Sequence, residues 1–433
     1  MPQKVVLHVG SPKTGTTFLQ QVLWAQRDRA RAQGVLLPGS GFQDHYLASV
    51  DVRDLSYEPR FPARAIGMWV VLVEEAQGFD GTVLVSHELF AGATAEQALR
   101  AVGVCGDAEV HVVVTARDLV RQIPAEWQEH LKHRSAVAFA DFVAELRSNG
   151  PAAHWFWTAQ DCADICRRWG AAVPPERIHV VTVPPRGARP EALWERFAGL
   201  LGLDAASFDL AVSRPNRSLR AEPAELLRRV NARLDRRLRV PGAYSETVKE
   251  TFAQELLAPR GGAPVALSGA NQRFAVERSQ RMADELRELG VSVVGDLAEL
   301  VPMLPADEQA EESTSTEHPE RAADAVLLNE AVEALSGLLQ RLSDERGRAK
   351  GRAALDAAQR RTQGQLDEAT AAEQRLRDEH EELLARLRTR PWRTVLLAST
   401  ERRPRLMRLR IRYRRARGLL RRVASRVRRL RRS

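Results

Sequence analysis

Residues 4–10, KVVLHVG, are a short run of apolar and β-branched residues ending in Gly. The stretch FLQQVLWAQRDRARAQG that begins at Phe18 then carries apolar positions at helical spacing. The order this predicts is strand, loop, helix, and it recurs along the chain. GTVLVSHE (81–88) reads as a strand, EQALRAV (96–102) as a helix, EVHVVVTARD (109–118) as a buried strand and LVRQIPAEWQEHLKH (119–133) as a helix. Helical patterns follow at 139–147 and 158–169, a strand at 177–183, and helices near 191–201 and 222–238. Strands separated by crossover helices pair in parallel and are buried on both faces. The expected fold is therefore α/β, a parallel sheet with helices on both faces, over residues 1–304.

The pattern then changes. Residues 305–322, which include PADEQAEESTSTEHPE, are acidic, rich in Ser and Thr and almost free of large apolar residues, the composition of a disordered linker. Over 323–390, Leu328, Leu335 and Leu342 stand seven apart, as do Val332 and Leu339, and Leu376 and Leu383, which predicts a long helix or a coiled-coil segment. Gly347, Gly351 and Gly364 and the shortage of large apolar residues over 343–365 interrupt the seam, so pairing of two chains through it is an expectation that the spacing only partly supports. Residues 391–433 are an Arg-rich, amphipathic helical pattern with Leu406, Leu409, Ile411, Leu419, Leu420, Val423 and Val427 between the charges.

Charge sharpens that division. The chain of 433 residues carries a net charge of +9, but residues 391–433 hold seventeen Arg against one acid, Glu401. That tail therefore accounts for a net +16, and the remainder of the chain carries −7. The three cysteines, Cys105, Cys162 and Cys166, are too few for a disulfide framework and have no metal-ligand spacing around them. The N-terminus enters a strand pattern at once, and no apolar run approaches the roughly 18 residues of a membrane span. The expectation is a reduced, cytoplasmic protein that its basic tail can hold at the inner face of the membrane.

The chemistry concentrates in the octet Gly10-Ser11-Pro12-Lys13-Thr14-Gly15-Thr16-Thr17, between a buried strand and a helix. Backbone N–H groups and a helix N-terminus converge at such a turn and suit an anion. A kinase-type loop would read G-x-x-x-x-G-K-[ST]. Here Thr16 occupies the Lys position, and Lys13 lies two residues before Gly15. As a plain strand-to-helix turn, the same octet would need Gly for its backbone angles and Thr as a cap.

The P-K-T-G-T-T string after a first strand resembles the 5′-phosphosulfate loop of the sulfotransferase family, here its bacterial, P-loop-like members, over roughly residues 1–300. The resemblance implies 3′-phosphoadenosine 5′-phosphosulfate as donor and no metal. It implies that Lys13 contacts the bridging oxygen of the donor. Ser11, Pro12, Thr14, Gly15, Thr16 and Thr17 then complete the 5′-phosphate cradle. In the family, an Arg at the end of the strand 109–115 binds the 3′-phosphate, which assigns that role to Arg117. A Ser eight residues later and often a Tyr two beyond accompany it. This chain departs at both, with Ala125 and Trp127, so that Arg121, Gln122, Gln128 or Ser135 would have to serve.

At the end of strand 82–86, Ser86-His87-Glu88 resembles the Ser-x-Glu of bacterial and glycan-modifying sulfotransferases, which makes Glu88 the first candidate for the base and His87 the second. Asn216-Arg217-Ser218-Leu219 resembles a string in the C-terminal part of bacterial sulfotransferases, which makes Arg217 a nucleotide contact, with Asn216 or Ser218 as a plain helix cap the alternative. The segment 34–62, rich in loop formers and aromatics, is the expected acceptor wall. His45 within it reads first as a surface histidine and second as a base or acceptor contact.

Sulfuryl transfer needs an in-line nucleophile, a group to take its proton and positive charge at the leaving phosphate oxygen. Glu88 or His87, Lys13, the loop and Arg117 would supply these for a hydroxyl or amine acceptor, expected to be a carbohydrate, lipid-linked or other small molecule. The tail suits an anionic membrane surface better than nucleic acid. A nucleotide-binding scaffold without turnover, favoured by Ala125, and a kinase with an irregular loop are the competing expectations.

Overall fold

The computed structural model describes residues 2–211, 218–239, 241–267, 269–303 and 318–388, and, between 405 and 421, residues 405, 408, 409, 411–419 and 421. The expectations for Asn216 and Arg217, for 305–317 and for most of 391–433 lie outside the described residues.

The sheet contains β1 (Lys4–Gly10), β2 (Val35–Leu36), β3 (Thr82–Ser86), β4 (Glu109–Ala116), β5 (Ile178–Thr182) and β6 (Ser292–Val294). They are all parallel, in the order β2-β3-β1-β4-β5-β6. Alternation along β1 divides the core in two. Val5, Leu7 and Val9 enter one apolar layer, and Val6 enters the other with Leu84, Val113 and Val181 from neighbouring strands. The smaller layer is covered by α1 (Thr16–Ala25), α2 (Arg27–Ala32) and α10 (Ala192–Leu200).

The larger layer is covered by α3 (Phe42–Val52), α4 (Met68–Glu75), α5 (Ala95–Val104), α6 (Leu119–Lys132), α7 (Phe139–Ser148), α8 (His154–Gln160) and α9 (Cys162–Trp169). It also takes α11 (Ala221–Arg233), α12 (Pro241–Tyr244), a π-helix at Ser245–Leu257 and α13 (Gly269–Glu288). The three cysteines are free and buried.

Helix α14 (Asp324–Arg388) runs through Gly347, Gly351 and Gly364 without a break. The chain divides into two compact units, Met1–Ser336 and Gly337–Ser433. In the first, Leu327 and Ala334 are buried, and Arg260 pairs with Glu330. Residues 318–322 carry a short 3-10 turn, Pro319–Arg321, with Pro319 buried and packed near α11. In the second, the described residues are helical, and Leu339 and Leu342 are exposed. No helix among the described residues is long and apolar enough to cross a membrane.

Three local readings are corrected. The single helix expected over 158–169 is two, because Asp161 leaves the helical region (φ −78°, ψ 93°) and its side chain accepts from the Asp164 amide to start α9. Helical periodicity continues across that break, so the pattern conceals it. The helix expected to reach 238 ends at Arg233. The segment 34–62, read as loop, contains β2 and α3. Asp44 on α3 accepts from the Ser40 amide at 2.8 Å and from its hydroxyl at 2.6 Å, which ties the Gly-rich entry to the helix.

Candidate functional site

Parallel pairing brings the carboxyl ends of β3, β1 and β4 side by side, and the loop Gly10–Thr17 rises from the middle strand. Where the crossovers leave a sheet edge open, such carboxyl ends form a binding crevice. The loop is fixed from below. The Ser11 amide donates to the Thr115 carbonyl (3.0 Å), the Thr115 hydroxyl donates to the Gly10 carbonyl (3.0 Å), and Thr14 is hydrogen-bonded to both Ser11 and Thr115. His8 bridges the three strands beneath it, with Nδ1 2.8 Å from the Ser86 hydroxyl and Nε2 3.3 Å from the Thr115 hydroxyl. Burial lowers its pKa to about 4, so this imidazole is neutral.

Above that floor, polar groups are left open. Gly15 is the N-cap of α1 at φ 90°, no side chain caps the helix, and its first turn has no acid. The Ser11 hydroxyl is buried and has no partner among the described residues. A Cβ on Gly15 would lie 2.6 Å from Leu193 Cδ2, so only Gly gives both the backbone angle and the room. Uncapped amides at a helix N-terminus and an orphan hydroxyl in the same loop suit an anion. Thr16 is buried, Thr17 is exposed, and the Pro12 carbonyl accepts from Gln122 and Gln160.

Lys13, at φ 62°, does not stand free. Its ammonium donates to Glu129 on α6 at 2.9 Å. Lys249 and His133 reach the other oxygen of that carboxylate, each at 3.1 Å. Burial alone would raise the Glu129 carboxyl. The His133 hydrogen bond and the charges of Lys13, Lys249 and Lys132 outweigh it and hold the carboxyl far below the usual range. Lys132 is itself lowered to about 8, by burial and then by Lys13. Glu129 was not legible in the sequence, where it is one polar position on an amphipathic helix.

Arg117 follows β4, and its Nη1 donates to the Lys13 carbonyl at 3.1 Å, while its Nε is buried without a partner among the described residues. Burial, followed by the charge of Arg121, lowers it to about 10, so it stays a cation at neutral pH. Asp118 caps α6 through the Arg121 amide and pairs with the Arg121 guanidinium. Arg117 opens on a cleft of about 530 Å³ whose walls also present Arg121, Arg186, Arg220 and Arg260.

Ala125, Gln128 and Ser218 line the same cleft. Of the four residues considered in place of the missing hydroxyl, Arg121 and Gln128 line it. Gln122 is turned to Pro12 and Gln160, and Ser135 accepts from the Val137 amide. Trp127 belongs to the core, its Nε1 donating to the Val137 carbonyl at 2.9 Å. Arg186, Arg220 and Arg260 come from loops remote in sequence, and no motif announces them.

On the other side of the loop, Ser86, His87 and Glu88 end β3. The His87 Nδ1 accepts from the Leu89 amide at 3.2 Å, so the proton of the neutral ring sits on Nε2. Burial lowers the His87 pKa, and that ring is poorly placed to take a further proton. Glu88 is half-buried, and its Oε2 accepts from Gln20 Nε2 at 3.3 Å, while its other oxygen has no hydrogen-bond partner among the described residues. His45 is fully buried, not a surface residue. It accepts from the Ser86 amide at 3.1 Å and donates to the Pro38 carbonyl at 2.9 Å, and burial lowers it to about 4. Both of its ring nitrogens are occupied, so it is a structural post of the strand end.

Among solved structures, the chain is similar to a sulfotransferase from Alicyclobacillus acidocaldarius, at 17% identity and a TM-score of 0.33 over 50% of this chain and 87% of that one. No family model and no curated protein matches the chain.

Proposed function

We propose that this chain transfers a sulfuryl group from 3′-phosphoadenosine 5′-phosphosulfate to a hydroxyl or amine of a carbohydrate, lipid-linked or other small acceptor. One observation carries the reading. An uncapped helix N-terminus with a buried, unpartnered Ser11 hydroxyl lies beside Lys13 and opens, through Arg117, on a cleft with five arginines. A ligand with a phosphate at each end suits these two seats. The orphan Ser11 hydroxyl and the orphan Arg117 Nε are the polar atoms such a ligand would satisfy.

The donor supplies an activated sulfuryl group, whose bond to the phosphate oxygen breaks as the acceptor's bond to sulfur forms. The loop amides, Ser11, Thr16 and Thr17 hold the 5′-phosphate against the dipole of α1. Lys13, released from Glu129, places positive charge where the phosphate oxygen gains negative charge. Arg117 with Arg121 and Gln128 grips the 3′-phosphate in the position that a hydroxyl at residue 125 would share. Glu88 takes the proton of the acceptor as the new bond forms, and Gln20 holds the carboxylate in place.

The test is calorimetric titration of the full chain with 3′-phosphoadenosine 5′-phosphate, free of metal, beside ATP. Micromolar binding of the bisphosphate, weakened about 10- to 100-fold by Arg117→Ala and absent for ATP, is the expected result, since a charge-assisted hydrogen bond contributes about 1.5–3 kcal/mol. No binding of the bisphosphate would overturn the reading in favour of a scaffold whose site Ala125 has ruined.

A further inference from the structure

Arg53 carries a guanidinium that pairs with no carboxylate among the described residues. It follows α3, and its guanidinium carbon lies over the Trp155 ring, 4.7 Å from the centroid. Its guanidinium makes no hydrogen bond and no ion pair within 4 Å among the described residues, and its Nε is buried without a partner there. Burial, then the guanidinium groups of Arg60 and Arg168, hold its pKa below the ordinary arginine value, and Glu58 works the other way.

The neighbouring cations are engaged elsewhere. Arg168 donates to the carbonyls of Ala91, Ala93 and Thr158 and pairs with Asp164, while Arg60 pairs with Glu58 at 2.7 Å. A half-buried guanidinium without an anion is costly, and proteins keep one where a ligand brings the anion.

Its place relates it to the proposed base. The five-residue turn Glu88–Gly92 begins with Glu88, and at its other end a Cβ on Gly92 would lie 2.9 Å from Arg53 Cζ and 2.8 Å from Trp155 Cζ3. The Arg53–Trp155 pair is therefore seated directly on Gly92. At about 2 Å of rise per residue, the turn separates its two ends by about 8 Å of backbone, the scale of one sugar ring with its substituents. Aromatic rings stand beside His87, the residue before that turn. Phe42, which is exposed, and Tyr46, half-buried, each stand 5.3 Å from the His87 ring.

We infer that the acceptor is anionic, a sugar bearing a carboxylate, sulfate or phosphate that pairs with Arg53 while its hydroxyl meets Glu88. This rests on the sulfuryl-transfer reading for the role of Glu88, whereas anion recognition by Arg53 stands on its own geometry. Arg53 is then the residue that selects charged over neutral acceptors.

Saturation-transfer NMR on the full chain, with 3′-phosphoadenosine 5′-phosphate present, tests this with methyl glucuronide, glucose 6-sulfate and glucose 6-phosphate against methyl glucoside. The expected result is at least tenfold preference for one or more of the charged sugars, lost in Arg53→Gln and largely kept in Arg53→Lys, with nucleotide affinity unchanged in both variants. The charged members distinguish the three sources of the anion. Equal binding of charged and neutral sugars, binding of none while the nucleotide binds, or preference unchanged in Arg53→Gln would each overturn the inference. Failure of the nucleotide to bind is a separate outcome, which removes the transfer reading and leaves the anion preference to be judged from the same spectra.

Discussion

At the scale of single residues, the Lys13–Glu129 pair governs what the loop can do. The ammonium is committed to a carboxylate that Lys249, His133 and the nearby Lys132 also surround. Any anion entering the loop competes with Glu129 for that charge. Glu129→Gln should therefore tighten binding of 3′-phosphoadenosine 5′-phosphate about two- to fivefold, because a partly exposed pair is worth up to about 1 kcal/mol. The same carboxylate shapes acid stability. Its folded pKa lies below the ordinary 4.5, so the folded state releases that proton more readily than the unfolded one, and stability from Glu129 is complete above 4.5 and is lost as pH falls below it. The Gln variant should start less stable at pH 7 and show a flatter loss from pH 5 downward in urea titrations. A parallel acid limb in the two proteins would contradict the assignment.

At the scale of elements, the loop works because one strand end, one helix start and two glycines meet there. Gly10 (φ 129°) passes so close to the Glu88 carbonyl that a Cβ would stand 2.9 Å away, and Gly15 turns the chain into α1. Gly15→Ala should cost about 1–2 kcal/mol for its left-handed backbone, with added pressure on Leu193, and should weaken the bisphosphate at least tenfold. Gly34→Ala is the control. Gly34 has a similar φ of 84° with nothing within 4 Å of its would-be Cβ, and it lies beside the start of β2. It should lose comparable stability by thermal melting yet bind the nucleotide normally. Equal binding loss in both variants would mean that Gly15 matters only through the fold.

At the scale of the whole molecule, the α/β unit does not end where its last strand does. Leu327 and Ala334 are buried, Glu330 pairs with Arg260, and Asp324 pairs with Arg229 at 3.0 Å. Fully burying a leucine side chain contributes about 1.5–3 kcal/mol. A chain ending at residue 336 should melt several degrees above one ending at 304, while both bind the bisphosphate. Equal melting temperatures would show that the start of α14 adds nothing to the unit. Arg260 also lines the arginine cleft, so its pairing with Glu330 ties this contact to the wall of that cleft.

How much of this was readable from sequence depends on the range of the forces involved. Strand and helix order, the parallel sheet and the loop Gly10–Thr17 are written in local patterns: period-two and period-3.6 burial, a glycine at a positive φ, and a P-K-T-G-T-T string between them. Those patterns fix backbone geometry within a few residues, so β1, β3, β4, β5 and α6 and the positions of Lys13, Glu88 and Arg117 at one sheet edge follow directly. The partners of those residues do not. Glu129 for Lys13, the loop arginines around Arg117, the burial of His45 and the guanidinium of Arg53 over Trp155 are set by contacts between segments tens to hundreds of residues apart. Charge pairing and desolvation act through space, and only the packed chain decides which polar groups are satisfied and which are left open for a ligand.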